Sequence, residues 1–515
     1  MAPSRQRALV SVLCLAWFLV CLLGTGYAID DTYIHLTYAR NLAAGEGLVF
    51  RVGQGPLYSC TSPVWVALLG VSYAVSAGGL WAARLLSCLC GALTLLLVHR
   101  LSARKLGWNS ALFPPLLLAL NPWWVRWSSS GMETPAAGLL VAGVLLLSAR
   151  ERRGAAALLS GLGIAVRPEL AVLGPLLVLA GPGRRRMRRL GLWALPTAAW
   201  IAWAWAYFGS PLPASAMSKV AAEPLGAYLL SSMTRMAGML LAGDALQTAS
   251  LALLAGGALL GGWSLPRPPR HWLPLILLPP VMAAVVLAGR GPLVSRYVLP
   301  AWPALVLAET AWMRSLTRRI GGRLAAGWRL LPLLAAGMQL VILVAFFVPH
   351  MSMMERHLDS YVDAAEYLRD SLPPEAVVAV HEVGVFQYVS GRELVDLEGL
   401  VSPEVTPESY PGLNVNLAGS VRLLRESGAT HLMDPMDRVR LIDSLASYRV
   451  GLYPVPIRRW DFPGGTSIRG GDYSRVLYRL EWTDPAPDRR EPPRRQSGGE
   501  AGGAQRLEGM PTGAM

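Results

Sequence analysis

The chain has 515 residues, of which 53% are hydrophobic and only 16% charged, and its mean hydropathy is +0.39. That balance excludes an ordinary soluble globular protein of this length. The net charge of +14 does not indicate nucleic acid: the basic residues sit in short loops between apolar runs, as in Arg184, Arg185, Arg186, Arg188 and Arg189, and no basic patch is interleaved with stacking aromatics. Five cysteines are too few for a disulfide framework and show no zinc spacing, so they read as small apolar packing residues.

Several apolar runs reach the roughly 20 residues that cross a hydrocarbon core of about 30 Å. The first, Ala8 to Ala28, follows Arg5 and Arg7 and is long for a signal-peptide core, so it reads as a retained span that starts inside. Asp30, Asp31 and Glu46 then fall on the outer side, in a first outer loop over 29–79. Pro63 to Val75 is short. If it crossed, the basic run from His99 to Lys105 would face outward, so it reads as an interfacial or re-entrant helix.

With that choice the remaining spans alternate. Outward spans are expected near 110–126, 154–166, 190–208, 272–288 and 330–349, and inward spans near 81–98, 135–149, 168–181, 248–263 and 297–313. The inner loops then carry Arg150 to Arg153, the five-arginine cluster, Arg267 with Arg270, and Arg314 to Arg329, as cytoplasmic loops do. Trp123, Trp124, Trp127, Trp203, Trp205 and Tyr207 fall at outer ends and fit an interfacial aromatic belt.

About eleven transmembrane helices result, in a polytopic α-helical portion covering 1–350. Charge returns after Pro349, and 351–482 reads as an extracytoplasmic α/β domain. Its expected elements are helices at Tyr361 to Leu372 and Val421 to Ser427, and strands at Ala376 to Val380 and Val476 to Trp482. The Pro-, Gly- and Arg-rich tail, 483–515, reads as disordered.

Asp30-Asp31 leads the candidate chemistry. Adjacent carboxylates at a membrane surface repel each other and are partly desolvated, which raises at least one pKa toward a general base's range. The same pair supplies oxygen ligands for a divalent cation such as Mg or Mn. The bland alternative is a solvated acidic loop that orients the first span. His35 follows Asp31 by four residues, on one face if the stretch is helical.

Residues 30–65, DDTYIHLTYARNLAAGEGLVFRVGQGPLYSCTSPVW, closely resemble the first outer loop of the GT-C superfamily of membrane glycosyltransferases. The branch they resemble contains the actinobacterial terminal arabinofuranosyltransferase. Similar motifs follow in family order: Gly131-Met132-Glu133-Thr134-Pro135, Arg167-Pro168-Glu169, Tyr207-Phe208-Gly209 through Pro213 with Lys219, and Arg296-Tyr297. Val383-Gly384-Val385 and Asp396-Leu397-Glu398-Gly399-Leu400 resemble the family's soluble domain. Arg51 stands where the family often has Asn, and Ala214-Ser215 where Asn-Thr is frequent; both departures bear on the acceptor.

The resemblance implies transfer of a sugar, with arabinofuranose as one candidate, from a polyprenyl-phosphate donor to a cell-envelope glycan or lipid acceptor. The expected setting is the outer face of a bacterial inner membrane. It implies Asp30 or Asp31 as the base, with Asp30 slightly favoured. Arg296 and Lys219 are expected at the phosphate, since Arg forks onto phosphate oxygens and Lys supplies a point charge. His35, Tyr38, Arg40, Trp65, Glu133, Arg167, Glu169 and Arg290 complete the candidate substrate site. Structural readings stand beside these: an Arg167–Glu169 pair capping a span, Glu133 at a helix N-terminus, Arg290 on lipid head groups, and Tyr38 and Trp65 as packing. The rival classes are a transporter or flippase of lipid-linked glycans and a protein O-mannosyltransferase-like enzyme on the same scaffold.

Overall fold

The computed structural model describes residues 3–75, 78–180, 183, 185–214, 224–243, 273–289, 294–320, 333–402, 404–405, 409, 417–435, 451–462 and 473–483. The expected span at 248–263, Lys219, Arg267, Arg270, Arg290 and nearly all of the tail lie outside the described residues.

Three described helices are long and apolar enough to cross a membrane: α1, whose apolar stretch is Ser4–Leu23, a 27-residue helix Leu80–Leu106, and a 39-residue helix Leu333–Ser371. Between α1 (Pro3–Leu23) and the Leu80 helix (α4) lie α2 (Asp30–Ala43) and α3 (Pro63–Ala74), the latter as short as expected of an interfacial segment. On α1, Val12, Val20 and Leu23 are more than 60% exposed, a surface that in water would be a liability and in lipid is not.

The expected span at 110–126 is broken. Pro122 biases Asn121 toward extended backbone, and the Asn121 side chain accepts the Trp124 N–H at 3.1 Å. Phe113–Leu120 (α5) and Pro122–Ser129 (α6) are therefore separate helices. α6 then turns by 117° into Thr134–Ala149 (α7), the geometry of a broken span or a re-entrant loop. Gly131 makes that turn at φ 78; a Cβ there would meet Thr32 Cγ2 at 3.0 Å and Ala83 Cβ at 3.2 Å.

Arg153–Leu162 (α8), Leu173–Ala180 (α9) and Arg186–Phe208 (α10) follow, then Leu225–Gly243 (α11), Leu273–Ala288 (α12), Ser295–Val298 (α13) and Trp302–Ile320 (α14). The aromatic belt divides: Trp203 and Trp205 are exposed, whereas Trp124 and Trp127 are core residues, at 0% and 6% exposure.

The helix Leu333–Ser371 (α15) carries the chain through the composition change at Pro349 without a break. A π-helical turn over Leu343–Phe347 precedes that proline and absorbs the hydrogen bond and space its ring removes.

Beyond α15 a five-stranded sheet has the order β2-β1-β3-β5-β4. Val378–Val380 (β1) pairs in parallel with Leu394–Asp396 (β2) and His431–Pro435 (β3), while Leu452–Phe462 (β4) and Tyr473–Trp482 (β5) add antiparallel. Val383–Ser390 (α16) is the crossover between β1 and β2, and Leu417–Glu426 (α17) precedes β3. The sheet and the membrane portion share one core: Ile34, Leu36, Tyr38 and Trp65 of α2 and α3 belong to the same apolar cluster as Leu368, Val378, Val380 and Phe386. Burial of each such side chain stabilises by about 1.5–3 kcal/mol.

Candidate active site

A cleft forms where α2, the α6–α7 turn, Arg167, α13 and the loop after β2 converge. It is lined by Asp31, Ile34 and His35 from α2, Ser59 and Thr61, Met132 and Glu133, Arg167, Arg296 and Tyr297, and Leu400. Asp31 and His35 share a face because α2 is a helix and they stand one turn apart. Arg167 is held extended, at φ −156 and ψ 132, as a residue before proline tends to be.

The electrostatics centre on two arginines. Arg296 Nη1 lies 2.6 Å from Asp31 Oδ2, with the two side chains 13% and 24% exposed, so the pair is open to a ligand. The Arg296 guanidinium also sits 5.3 Å from the ring centre of Tyr297 and 5.9 Å from that of Trp127. Arg167 is buried: Nε donates to Glu169 Oε1 at 2.7 Å, and Nη1 to Glu133 Oε1 at 2.8 Å and Thr134 Oγ1 at 3.3 Å. Two carboxylates on one buried guanidinium leave it positioning them, since losing either partner strands a charge in low dielectric.

His35 Nδ1 lies 3.7 Å from Glu133 Oε2, and neither atom has a hydrogen-bond partner among the described residues. Burial holds the His35 pKa below its ordinary value despite the neighbouring carboxylates.

Asp30 points elsewhere. Its Oδ1 and Oδ2 accept the N–H groups of Val385 at 2.8 Å and Gly384 at 3.1 Å, so α2 caps the N-terminus of α16. Gly384 permits this approach, since a Cβ there would collide with the Asp30 backbone oxygen. The two aspartates therefore do not form a common oxygen-ligand set. Among the described residues no group of three or more His, Cys, Asp or Glu side chains is arranged to hold a metal ion.

Five of the expected site residues that are described do not line the cleft: Asp30, Glu169, Tyr38, Trp65 and Arg40. The Tyr38 hydroxyl donates to the Leu57 carbonyl at 2.7 Å, and Trp65 Nε1 to the Gly131 carbonyl at 3.2 Å. Arg40 stacks over Tyr388, 5.1 Å from its ring centre, and donates to its carbonyl. Each of these three side chains is used in packing residues 30–65 against their neighbours. Glu169 supports the cleft through Arg167. Conversely, Ser59 and Leu400 line the cleft although neither is among the expected site residues; Ser59 lies within the 30–65 stretch and Leu400 closes the Asp396-to-Leu400 motif. Asp396 shapes that loop, accepting the N–H groups of Glu398 at 2.9 Å and Val401 at 2.7 Å. Burial raises the Asp396 pKa to about 6 against the effect of those amides.

Residues 60–207 match the family described as dolichyl-phosphate-mannose-protein mannosyltransferase, and residues 352–471 match a domain of unknown function. No curated protein matches the chain. Among solved structures, ArnT from Cupriavidus metallidurans superposes in its apo state with a TM-score of 0.57 and 14% identity, over 93% of this chain and 98% of that one. The same protein bound to undecaprenyl phosphate gives 0.55, with the same identity and coverage. The Archaeoglobus fulgidus oligosaccharyltransferase in complex with Zn and sulfate gives 0.51 at 13% identity, over 82% of this chain and 67% of that one. The chain thus shares its fold with ArnT. With its long apolar helices and the match over residues 60–207, it is a membrane protein similar to the membrane glycosyltransferases its sequence resembles.

Proposed function

We propose that the chain is a glycosyltransferase that moves a sugar from a polyprenyl-phosphate donor to an acceptor hydroxyl of a cell-envelope glycan or lipid. The observation that carries this reading is the Asp31–Arg296 pair in a cleft backed by Glu133, His35 and Arg167, on a GT-C fold. Asp31 is the base: its partly open carboxylate accepts the acceptor's proton as the hydroxyl oxygen bonds to the anomeric carbon. The bond from that carbon to the phosphate oxygen breaks, and Arg296 holds the departing phosphate. The pair is arranged for this exchange, since incoming phosphate replaces the carboxylate on the guanidinium and frees Asp31 to act. No step here is routed through a metal.

The undecaprenyl phosphate in the ArnT structure supports a long-chain lipid phosphate as the leaving group. About eleven spans, an extracytoplasmic α/β domain over 351–482 and a site on the outer face of a bacterial inner membrane complete the reading. Leu400 in the cleft supports a role for that domain in the site. Arabinofuranose is one candidate sugar; the match over residues 60–207 favours mannose as a second, with a protein acceptor.

The test is transfer by purified full-length protein from synthetic polyprenyl-phosphate arabinose and mannose, with and without EDTA. Transfer abolished by Asp31→Asn, with donor binding intact, is the expected result. No transfer from any donor, or an Asp31→Asn variant as active as wild type, sinks the mechanism.

A further inference from the structure

A second recess lies at the far end of α7 and α8 from the cleft. α7 has 16 residues, so its ends are about 24 Å apart at 1.5 Å per residue. Arg153 at the start of α8, with Arg185, Arg188, Arg189 and Leu192 around the first turns of α10, lines the recess together with Glu151. Four guanidinium groups thus meet one carboxylate, and Glu151 is already paired with Arg153.

This charge arrangement opposes its own helices. A helix N-terminus favours anions, yet neither α8 nor α10 has an acidic residue in its first turn, and α10 opens with Arg186, Arg188 and Arg189. Arg189 is only 7% exposed, and its Nε donates to the Arg185 carbonyl at 3.3 Å. An anion in the recess offsets both the crowding and the dipole. Farther along the same two helices the exposed side chains are apolar: Leu158 and Leu162 on α8 are 42% and 49% exposed, and Leu195 on α10 is 68% exposed. A basic pocket opening onto an apolar helix flank fits an amphipathic anion better than a free one.

We propose that this recess binds the phosphate headgroup of an anionic phospholipid, whose acyl chains lie along Leu158, Leu162 and Leu195. The site is independent of the transferase reading. A loop whose charge only orients the protein in the membrane has no need of a recess that gathers four guanidinium groups.

The experiment titrates delipidated full-length protein with phosphatidylglycerol and with phosphatidylcholine of the same chain length, counting retained lipid by native mass spectrometry. Phosphatidylglycerol is expected to be retained selectively. Arg185→Gln with Arg188→Gln, both exposed positions, should weaken it about 30-fold. Arg5→Gln with Arg100→Gln removes equal charge from exposed positions outside the recess and should leave binding near wild type. Arg153→Gln should weaken binding in the same direction, and thermal melting checks that each variant is folded. Equal retention of the two lipids, equal loss in both double variants, or no loss in the recess variants overturns the proposal. So does displacement by glycerol phosphate at equal concentration, which would mark a headgroup-only anion site.

Discussion

At the junction with the sheet, Asp30 grips two backbone amides of α16; in the cleft one residue later, Asp31 holds a guanidinium. The residues are chemically identical, and a helix turns about 100° between them, which sends one toward the sheet and the other toward the cleft. Amides are fixed donors that cannot leave, so a carboxylate bound to them is committed to structure. An arginine near the surface can exchange its partner for a phosphate, so its carboxylate remains available. Asp396 repeats the Asp30 arrangement, bonding two amides of the loop that brings Leu400 to the cleft.

The largest effect should separate the two neighbours. Asp31→Asn is expected to reduce sugar transfer about 10³-fold, within the usual range for a lost general base, while thermal stability stays near wild type. Initial rates at saturating donor, beside a melting curve, measure both. If Asp30→Asn gives the larger rate loss at unchanged stability, the roles are reversed.

Asp396 comes next, through pH. Burial lifts its pKa from 3.8 to about 6, so the protonated form is the better tolerated one in the folded loop. Its contribution to stability is therefore full below about pH 3.8 and lost as pH rises through about 6. At about 1.4 kcal/mol for each tenfold change, this is a relative loss of roughly 3 kcal/mol between acid and neutral pH. Asp396→Asn should remove that slope. Melting curves of both proteins across this range that stay parallel would refute it.

Arg296→Lys tests the other half of the cleft pair. Lysine keeps the charge and loses the fork, so donor KM should rise and kcat/KM fall about tenfold to 100-fold, the worth of one charged hydrogen bond. A kcat loss at unchanged KM would place Arg296 on the transition state alone.

Much of the cleft was legible in sequence because local rules govern it. The i, i+4 spacing put Asp31 beside His35, and Arg-Pro-Glu placed a buried guanidinium next to Glu169. The Asn121-Pro122 break is a capping residue before proline, a local signal that the single span expected near 110–126 passed over. What sequence could not supply were partners far along the chain. Asp30 is 354 and 355 residues from the amides it bonds, and no periodicity encodes that distance. The preference for Asp30 as base rested on its place in a motif, which ranks neighbours without telling where each points. The α15 boundary was obscured for a related reason: composition changes at Pro349, but one helix serves both environments because a π turn accommodates the proline.

The smallest effect belongs to Asp30 itself. Its cap on α16 should contribute about 1–2 kcal/mol, so Asp30→Ala lowers the melting temperature by a few degrees. Asp30→Asn, which keeps one acceptor oxygen, should recover part of that loss. Transfer by the folded fraction should stay within a few-fold of wild type, because the cleft pair is untouched. Gly384→Ala tests the same contact from the other side, since its Cβ would meet the Asp30 backbone oxygen at 2.3 Å and the carboxylate carbon at 3.0 Å. It should cost more than Asp30→Ala, because the backbone clash adds to the lost cap, and the double variant should cost less than the sum of the two single changes because both remove the cap. Additive losses would mean that the cap contributes nothing beyond packing, and the division of labour between the two aspartates would then rest on the cleft alone.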